Sequence, residues 1–406
     1  MIKSPAMNRL LLLLALLTAC LGHVQAANPP APAHDMEKMW LDMLARPALA
    51  ATATFDEEGI LWRAQVRDGY LWIGRSEDAG ASYAEAVKVN SEPEAIAADG
   101  ENRPKLVTRG GVLYVSWTRS LDKPMTGDIR FSRSLDGGRS FSPAITVNDN
   151  REIISHRFDA LAVSGTGQVY LAWLDKRDQS AARKASTDYP GAALYYTVSD
   201  DGGRSFRPNF KVADHSCECC RVAMALDTDS IPVVVWRHIY DTDIRDHAIV
   251  KLDRKATAMR LSYENWNVAA CPHHGPALSI AKDGVYHAAW FSNAAQQRGL
   301  FYAYSSDGGR IFSAPLNFGK PAAQAAHPAV LSLGVRVFLA WKEFDGENTG
   351  IVAMSSRDGG KSWSVPAKLA STADASDSPL LIDGRGRVWL SWSSKNEGHR
   401  LIRVDE

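Results

Sequence analysis

The sequence contains few cysteines, no excess charge of either sign and only one long apolar segment. Lysine plus arginine and aspartate plus glutamate each total 46, so the 406-residue chain has a formal net charge of zero. This balance gives no electrostatic reason to expect nucleic acid or a membrane surface as a partner. After the N-terminal region, no apolar run reaches the roughly 18 residues that a membrane-spanning helix needs. We therefore expect the remainder of the chain to be soluble and monomeric.

The single apolar segment, at the N-terminus, has the pattern of an export signal. Lys3 and Arg9 precede "LLLLALLTACLG", and the sequence then becomes polar. Two processing routes fit. "LTAC" resembles a bacterial lipobox, which would make Cys20 a lipidated N-terminus and a possible membrane anchor. "VQA" before Ala27 resembles an ordinary signal-peptidase site. Either route predicts a periplasmic protein or an outer-membrane lipoprotein.

These features divide the chain into three parts. Residues 1–26 are the expected signal peptide, and residues 27–48 form a Pro/Ala-containing linker followed by a short helix at 36–46. Residues 49–406 are the expected folded domain.

A turn motif recurs through this domain with the pattern Ser-x-Asp-x-Gly-x-x-aromatic. The glycines suit a tight turn with positive φ, and the Ser and Asp side chains can bond to turn amides. The aromatic residue is expected to pack beneath the turn. The five copies are "SEDAGASY" (76–83), "SLDGGRSF" (134–141), "SDDGGRSF" (199–206), "SSDGGRIF" (305–312) and "SRDGGKSW" (356–363).

An alternating β-rich segment that ends in tryptophan precedes each turn region. Neighbouring copies are 51 to 63 residues apart, as Trp290 to Trp341 and Trp173 to Trp236 show. Such a period, with four strands in each unit, predicts an all-β propeller. Counting a degenerate copy at 59–65 gives seven blades, and six blades with irregular ends is the alternative. The last unit (378–406) has room for three strands, so an N-terminal strand is one way to close the ring.

The turn motif resembles the Asp-box of the sialidase-like superfamily, and the resemblance extends from about Ala51 to the C-terminus. It implies a β-propeller, with six blades in sialidases of this type. Asp-box propellers include sialidases, other glycosidases and non-catalytic binding proteins, so the resemblance predicts the fold rather than the function.

Propeller geometry predicts which residues surround the mouth of the central channel. The entry to each innermost strand lies on the same face as the loop between the second and third strands, and the Asp-box lies on the opposite face. We therefore expect the Asp-box aspartates to be structural. The predicted mouth residues are Arg103, Arg119, His156, Arg157, Asp175, Lys176, Arg177, Cys219, Cys220, Arg221, Arg237, His238, His273, His274, His327, Lys342, Glu343 and Asp377.

A cysteine-rich stretch, "DHSCECCRVAM", leads into one innermost strand, and "CPHHGPAL" leads into the next. An even number of exported cysteines favours disulfides. Thiolates together with imidazoles also suit copper or zinc, and the adjacent pair Cys219–Cys220 allows a redox role. We expect one spatial cluster; its candidate metal ligands are Cys217, Cys219, Cys220, Cys271, His273 and His274.

The resemblance also raises the question of sialidase chemistry, which needs an arginine cluster for a carboxylate, a tyrosine nucleophile and an acid. The Arg-Ile-Pro motif that precedes the first Asp-box of sialidases is absent here. The candidates for this chemistry are Arg103, Arg157 and Arg221 as the clamp, Tyr240 as nucleophile, and Asp175 or Glu343 as acid or base.

The sequence therefore predicts an exported sialidase-like propeller that binds a small molecule, a glycan or a metal through a Cys/His/Arg cluster at the channel mouth. The alternative is an exo-sialidase-type glycoside hydrolase.

Overall fold

The computed structural model describes residues 48–253 and 257–405. The signal peptide, the possible lipidation of Cys20, most of the linker and the helix at 36–46 lie outside these residues and stay predictions. Within the described ranges, no helix has the length and apolar character needed to cross a bilayer.

The described strands form seven antiparallel sheets, each of which is one blade. Blade 1 contains β1 (Thr52–Phe55), β2 (Leu61–Arg67), β3 (Tyr70–Ser76) and β4 (Val87–Lys88). Blade 2 contains β5 (Lys105–Arg109), β6 (Val112–Ser120), β7 (Gly127–Ser134) and β8 (Ile145–Thr146). Blade 3 contains β9 (His156–Val163), β10 (Val169–Asp175), β11 (Ala192–Ser199) and β12 (Phe210–Ser216).

The remaining blades follow in chain order. Blade 4 contains β13 (Ala223–Leu226), β14 (Pro232–Arg237), β15 (His247–Lys251) and β16 (Met259–Arg260). Blade 5 contains β17 (Ala277–Ile280), β18 (Tyr286–Asn293), β19 (Arg298–Ser305) and β20 (Leu316–Phe318). Blade 6 contains β21 (Ala326–Leu333), β22 (Arg336–Phe344), β23 (Thr349–Ser356) and β24 (Ala367–Thr372). Blade 7 contains β25 (Leu380–Asp383), β26 (Val388–Ser394) and β27 (Gly398–Arg403).

The first strands of successive blades contact one another around the whole ring, and β25 contacts β1 to close it. The count of seven is confirmed, and the six-blade alternative is wrong. An N-terminal strand does not complete blade 7 in the described residues, because β1 to β4 all belong to blade 1 and blade 7 has three strands. The ring closes through contacts between β1 and β25.

The tryptophan-ended segments are the second strands of blades 2 to 7, as predicted. Their indole rings are almost fully buried between blades because alternation along a strand places every second side chain in an interblade core. The six residues are Trp117, Trp173, Trp236, Trp290, Trp341 and Trp392.

Each Asp-box connects the third and fourth strands of its blade, where we expected it. In blade 2, Asp136 accepts hydrogen bonds from the Ser134 hydroxyl (2.8 Å) and from the backbone and side chain of Ser140 (3.0 and 2.6 Å). Gly138 has φ 79°, and a Cβ there would lie 2.6 Å from the Trp62 ring of blade 1. The turn therefore needs glycine both for its conformation and for its packing. It lies at the opposite end of the strands from the cysteine-rich entry to blade 4.

In the part of the chain that the structure describes, two short helical elements accompany the strands. Helix α1 (Arg177–Lys184) lies between the second and third strands of blade 3, on the face that carries the strand entries. A single 3₁₀ turn (Pro321–Ala323) precedes β21.

Candidate metal centre at the channel mouth

Three thiols meet at the entry to blade 4. Cys217, Cys219 and Cys220 lie between β12 and β13, and the Cys217 amide donates a hydrogen bond to the Arg237 carbonyl at 2.9 Å. The three Sγ atoms are 3.6 to 4.0 Å apart, and each residue is at most 2% exposed. The loop thus directs the three Sγ atoms toward one another in the protein interior.

Disulfides are not what the structure shows. Cys217, Cys219, Cys220 and Cys271 are all free thiols. A disulfide needs its sulfur atoms about 2.0 Å apart, whereas the closest pair in the trio is separated by 3.6 Å. The structural staple that we expected from an even cysteine count is therefore absent from the described residues.

A second group of ligand atoms adjoins the first at Cys219. The Cys219 and Cys271 sulfurs and a ring nitrogen of His273 all lie within 4.8 Å of one another, as do the three thiols of the trio. Cys271 is exposed and His273 is half-buried, whereas Cys219 is buried. The structure therefore unites five of the six predicted metal ligands.

His274 is not part of either group of ligand atoms in the described residues. Its ring packs 4.3 Å from the centre of the Phe291 ring and 4.6 Å from that of His327. Burial lowers the pKa of His274 to about 3. The side chain is a neutral packing element of the mouth.

Guanidinium groups surround the thiol trio. Arg245 donates a hydrogen bond from Nη1 to Cys217 Sγ at 3.3 Å. Arg237 is 1% exposed and donates to the carbonyls of Arg245, His274 and Phe291. Across the described ranges, Arg237 forms no ion pair with a carboxylate. A buried cation without a carboxylate is costly, and this positive charge favours thiolate at the trio.

The three cysteines of the trio differ in the direction in which their surroundings shift the thiol pKa. Bonds from the Cys219 and Cys220 thiols, followed by the charges of Arg237 and Arg245, hold the pKa of Cys217 well below its usual range. Bonds to Cys217 and Cys220 raise the pKa of Cys219. Burial, then the bond to Cys217, raises the pKa of Cys220. Of the three thiols, Cys217 is therefore the one whose ionised form the surroundings favour most.

Glu101, at the entry to blade 2, ties the two cysteine-bearing loops together. One carboxylate oxygen accepts from the amides of Arg221 (3.0 Å) and Gly275 (2.7 Å). The other accepts from Arg221 Nη1 (2.7 Å) and His327 Nδ1 (3.0 Å). Burial would raise the pKa of Glu101, but the Arg221 charge and the His327 bond outweigh it and lower the pKa.

The two cysteine-bearing loops approach each other closely at Gly275. A Cβ on Gly275 would lie 2.2 Å from the Arg221 side chain and 2.7 Å from its backbone nitrogen and oxygen. Only glycine permits this approach, which brings Cys271 beside Cys219.

Several strand entries at the mouth contain non-glycine residues in the left-handed region. Phe158, His273 and His327 have φ of 61°, 54° and 53°. Such conformations cost free energy and concentrate at functional sites. Non-glycine residues in other turns of the chain, such as Ala79 and Ser230, also have positive φ, so this feature alone does not distinguish the mouth.

The predicted arginine clamp does not assemble. Arg103 bonds to Asp377 at 3.0 Å and to the carbonyls of Ala51 and Ser378. Arg221 bonds to Glu101 and to two proline carbonyls. Because both guanidinium groups already donate hydrogen bonds to protein acceptors, neither has a free edge for a ligand carboxylate.

Arg157 differs from these two arginines. It is 2% exposed, its Nε has no hydrogen-bond partner, and Nη1 contacts the Met125 sulfur at 3.7 Å. Burial lowers its pKa, while the charges of Asp99 and Cys219 oppose that shift. It forms no carboxylate ion pair in the part of the chain that the structure describes.

The predicted acids and the predicted nucleophile have structural partners. Asp175 accepts from the Trp173 indole (2.9 Å) and from Arg177 (2.7 Å). Glu343 accepts from the Trp341 indole at 2.8 Å. Both carboxylates accept hydrogen bonds from the indoles of buried tryptophans; Asp175 is fully buried, and Glu343 is half-buried.

Tyr240 also lacks the partner that sialidase chemistry needs. Its ring lies 4.6 Å from the Arg260 guanidinium and 4.5 Å from the His238 ring, and burial raises its pKa. No glutamate bonds to it among the described residues. The nucleophile prediction therefore has no geometric support.

Other predicted mouth residues form ion pairs or hydrogen bonds with protein groups at the same face. The described contacts are Arg119 to Asp128, His156 to the Gly127 carbonyl, Lys176 to Glu218, Arg177 to Asp149, and Lys342 to the Ser376 carbonyl. Of these, the Lys176–Glu218 pair (2.9 Å) reaches the cysteine-rich loop itself.

The sequence matches no family model and no curated protein. Solved structures do match. The Hadza microbial sialidase Hz136 has a TM-score of 0.50 and 16% identity, over 83% of this chain and 74% of its own. An ulvan lyase of the polysaccharide lyase family PL25 has a TM-score of 0.53 and 11% identity, over 89% and 92%. An α-L-arabinofuranosidase from Fusarium graminearum has a TM-score of 0.52 and 13% identity, over 76% and 92%.

Identities this low show a shared fold and do not carry the activities of these proteins to this chain. The chain is a seven-bladed β-propeller that shares its fold with these three proteins.

Proposed function

We propose that the protein is an exported propeller that binds a soft metal ion, copper(I) before zinc, through Cys217, Cys219 and Cys220. The observation that carries this proposal is the meeting of three buried, unoxidised sulfurs at separations of 3.6 to 4.0 Å.

The separations suit a common metal ligand sphere. An ion about 2.3 Å from each sulfur holds the sulfurs about 3.8 Å apart in tetrahedral geometry and about 4.0 Å apart in planar three-ligand geometry. The trio therefore needs little rearrangement to receive an ion.

The surrounding charge supports the same function. Binding requires the thiols to lose their protons, and the resulting thiolates would face Arg245 and Arg237. These fixed cations offset part of the negative charge that a metal–thiolate site keeps.

The ligand count favours copper(I) over zinc. Protein zinc sites of the structural kind are almost always four-coordinate, and soft thiolates select copper(I) as well as zinc. The inner group in the described residues supplies three sulfurs and no nitrogen or oxygen ligand. Three thiolates alone form a complete site for copper(I).

We propose that the N-terminal segment is an export signal and that the protein acts outside the cytoplasm. The basic residues Lys3 and Arg9 before the apolar segment support that placement. Whether Cys20 carries a lipid is a separate proposal, which mass spectrometry of the mature N-terminus tests.

Elemental analysis tests the metal proposal. The full chain is produced with its own signal, purified gently without oxygen and assayed for copper and zinc. We expect bound copper in the wild type and loss of the copper held by the trio in the double variant Cys217→Ser/Cys220→Ser. The exposed Arg109→Ala variant should retain it. A wild-type chain that contains neither metal, and that fails to take copper(I) from a competing chelator, would contradict the proposal.

A sialidase-type glycoside hydrolase is the second candidate, supported by one observation. Arg157 is a buried guanidinium at the mouth without a carboxylate partner in the described ranges. Release of a fluorogenic aglycone from a sialoside, with loss of release in Arg157→Ala, would establish this activity. We expect no release, because Arg103 and Arg221 are committed to the protein.

A further inference from the structure

Cys219 belongs to both groups of ligand atoms at the mouth. With Cys217 and Cys220 it forms a wholly buried group, and with Cys271 and His273 it forms a group that reaches solvent. In each group all ligand atoms lie within 4.8 Å of one another. One sulfur is therefore shared by two adjoining ligand sets.

A single ion is too small to take all five ligands. Two atoms bound to one ion at about 2.3 Å can be no more than about 4.6 Å apart. The five ligand atoms of the described residues do not form one group within 4.8 Å; they separate into the two sets of three. The arrangement thus provides two positions rather than one enlarged site.

We propose that the mouth is a two-metal centre in which the Cys219 thiolate bridges an inner and an outer soft metal ion. The inner ion is held by Cys217, Cys219 and Cys220, and the outer ion by Cys219, Cys271 and His273. This inference rests on the proposed function, because it assumes that the trio binds a soft metal. Filling both positions with copper(I) releases to solvent the protons that the four cysteine side chains still carry, and no electron is transferred.

The two positions differ in access. The inner sulfurs are at most 2% exposed, whereas Cys271 is exposed and His273 is half-buried. An ion from solvent meets the outer ligands first. Because Cys219 is common to both sets, the ion can pass inward by exchanging ligands without leaving the protein. The outer position is therefore the entry site and the inner position the retention site.

Contacts between the two cysteine-bearing loops fix the inner and outer ligand sets relative to each other. The Gly275 amide and the Arg221 amide bond to the same Glu101 oxygen, at 2.7 and 3.0 Å. This carboxylate fixes the Cys271 loop against the Cys219 loop. Glu101 is a positioning residue for the shared sulfur rather than a ligand.

A copper(I) titration of the reduced full chain, without oxygen and against a chelator of known affinity, tests the inference. The wild type should bind two equivalents. Cys271→Ser and His273→Ala should each bind one, and Cys219→Ser should weaken both positions. His215→Ala, a nearby histidine outside both sets, should still bind two. Thermal melting of each variant establishes that it is folded.

The outcomes separate the two proposals. No binding by the wild type would overturn the proposed function and this inference together. One equivalent in the wild type, unchanged in Cys271→Ser and His273→Ala but lost in Cys217→Ser/Cys220→Ser, would overturn the two-metal centre alone. Two equivalents that both persist in Cys271→Ser would also overturn it.

Discussion

Glu101 shows what a single residue contributes to the mouth and why the sequence does not reveal it. It lies in the polar segment "DGENRPKL", which reads as an ordinary turn. Its partners Arg221, Gly275 and His327 are 120, 174 and 226 positions away along the chain. Contacts at such separations arise only when the ring closes, so no local pattern can predict them.

Replacing Arg221 with alanine should destabilise the protein strongly. The change leaves the Glu101 carboxylate buried without its cation, and it also frees the carbonyls of Pro276 and Pro328. Breaking a buried pair from one side costs about 3–5 kcal/mol. Denaturant unfolding should show this loss for Arg221→Ala and almost none for the exposed Arg109→Ala. Equal midpoints for the two variants would contradict the role of Glu101.

Asp175 should prove structural rather than catalytic. In Asp175→Ala the Trp173 indole N–H loses its acceptor and Arg177 loses an ion pair. An unsatisfied buried donor costs about 1–3 kcal/mol. We expect a lower unfolding free energy for this variant and partial recovery in Asp175→Asn, which keeps an acceptor oxygen. A loss of activity or binding without a loss of stability would refute this assignment.

At the scale of elements, the local patterns were informative because their causes are local. The Asp-box turn is specified within eight residues: its Ser and Asp side chains bond to amides of the same turn, as at Ser134 and Asp136. The tryptophan strands are likewise specified by alternation. Blade closure is not local: among the described strands, β1 pairs within blade 1, blade 7 has three strands, and the ring closes through contacts between β1 and β25.

The Asp-box should make stability depend on pH in a definite direction. Hydrogen bonds from Ser140 and Ser134 lower the pKa of Asp136, whereas an unfolded aspartate titrates near about 3.9. The stabilisation is therefore present above about pH 4 and is lost as the pH falls through the lower folded value. The melting temperatures of wild type and Asp136→Ala should differ at pH 7 and converge in acid. A difference that grows in acid would contradict the sign of this linkage.

Gly275→Ala tests how the two loops are held together. The new Cβ would collide with the Arg221 backbone, so the Cys271 loop should move away from Cys219. We expect the variant to lose the outer copper(I) equivalent and to keep the inner one. Gly165→Ala, where a Cβ meets no atom within 4 Å, is the matched control. Retention of both equivalents by Gly275→Ala would show that close approach is not required.

At the scale of the whole molecule, the propeller brings distant segments into one site. Seven blades place their first-strand entries around one channel, so entries that are far apart in sequence become neighbours. The sequence was sufficient to predict that Cys219, Cys220, Cys271 and His273 share the mouth, because that follows from blade order. It could not predict that Arg103 pairs with Asp377 and Arg221 with Glu101, because those pairs depend on side-chain geometry across the ring.

X-ray absorption at the copper edge of the copper(I)-loaded full chain tests the central claim most directly. We expect a first shell dominated by sulfur at about 2.3 Å, with a smaller sulfur contribution in Cys217→Ser/Cys220→Ser, which keeps only the sulfurs of Cys219 and Cys271. A first shell of nitrogen and oxygen alone, or a spectrum unchanged in that double variant, would contradict binding at the thiol trio.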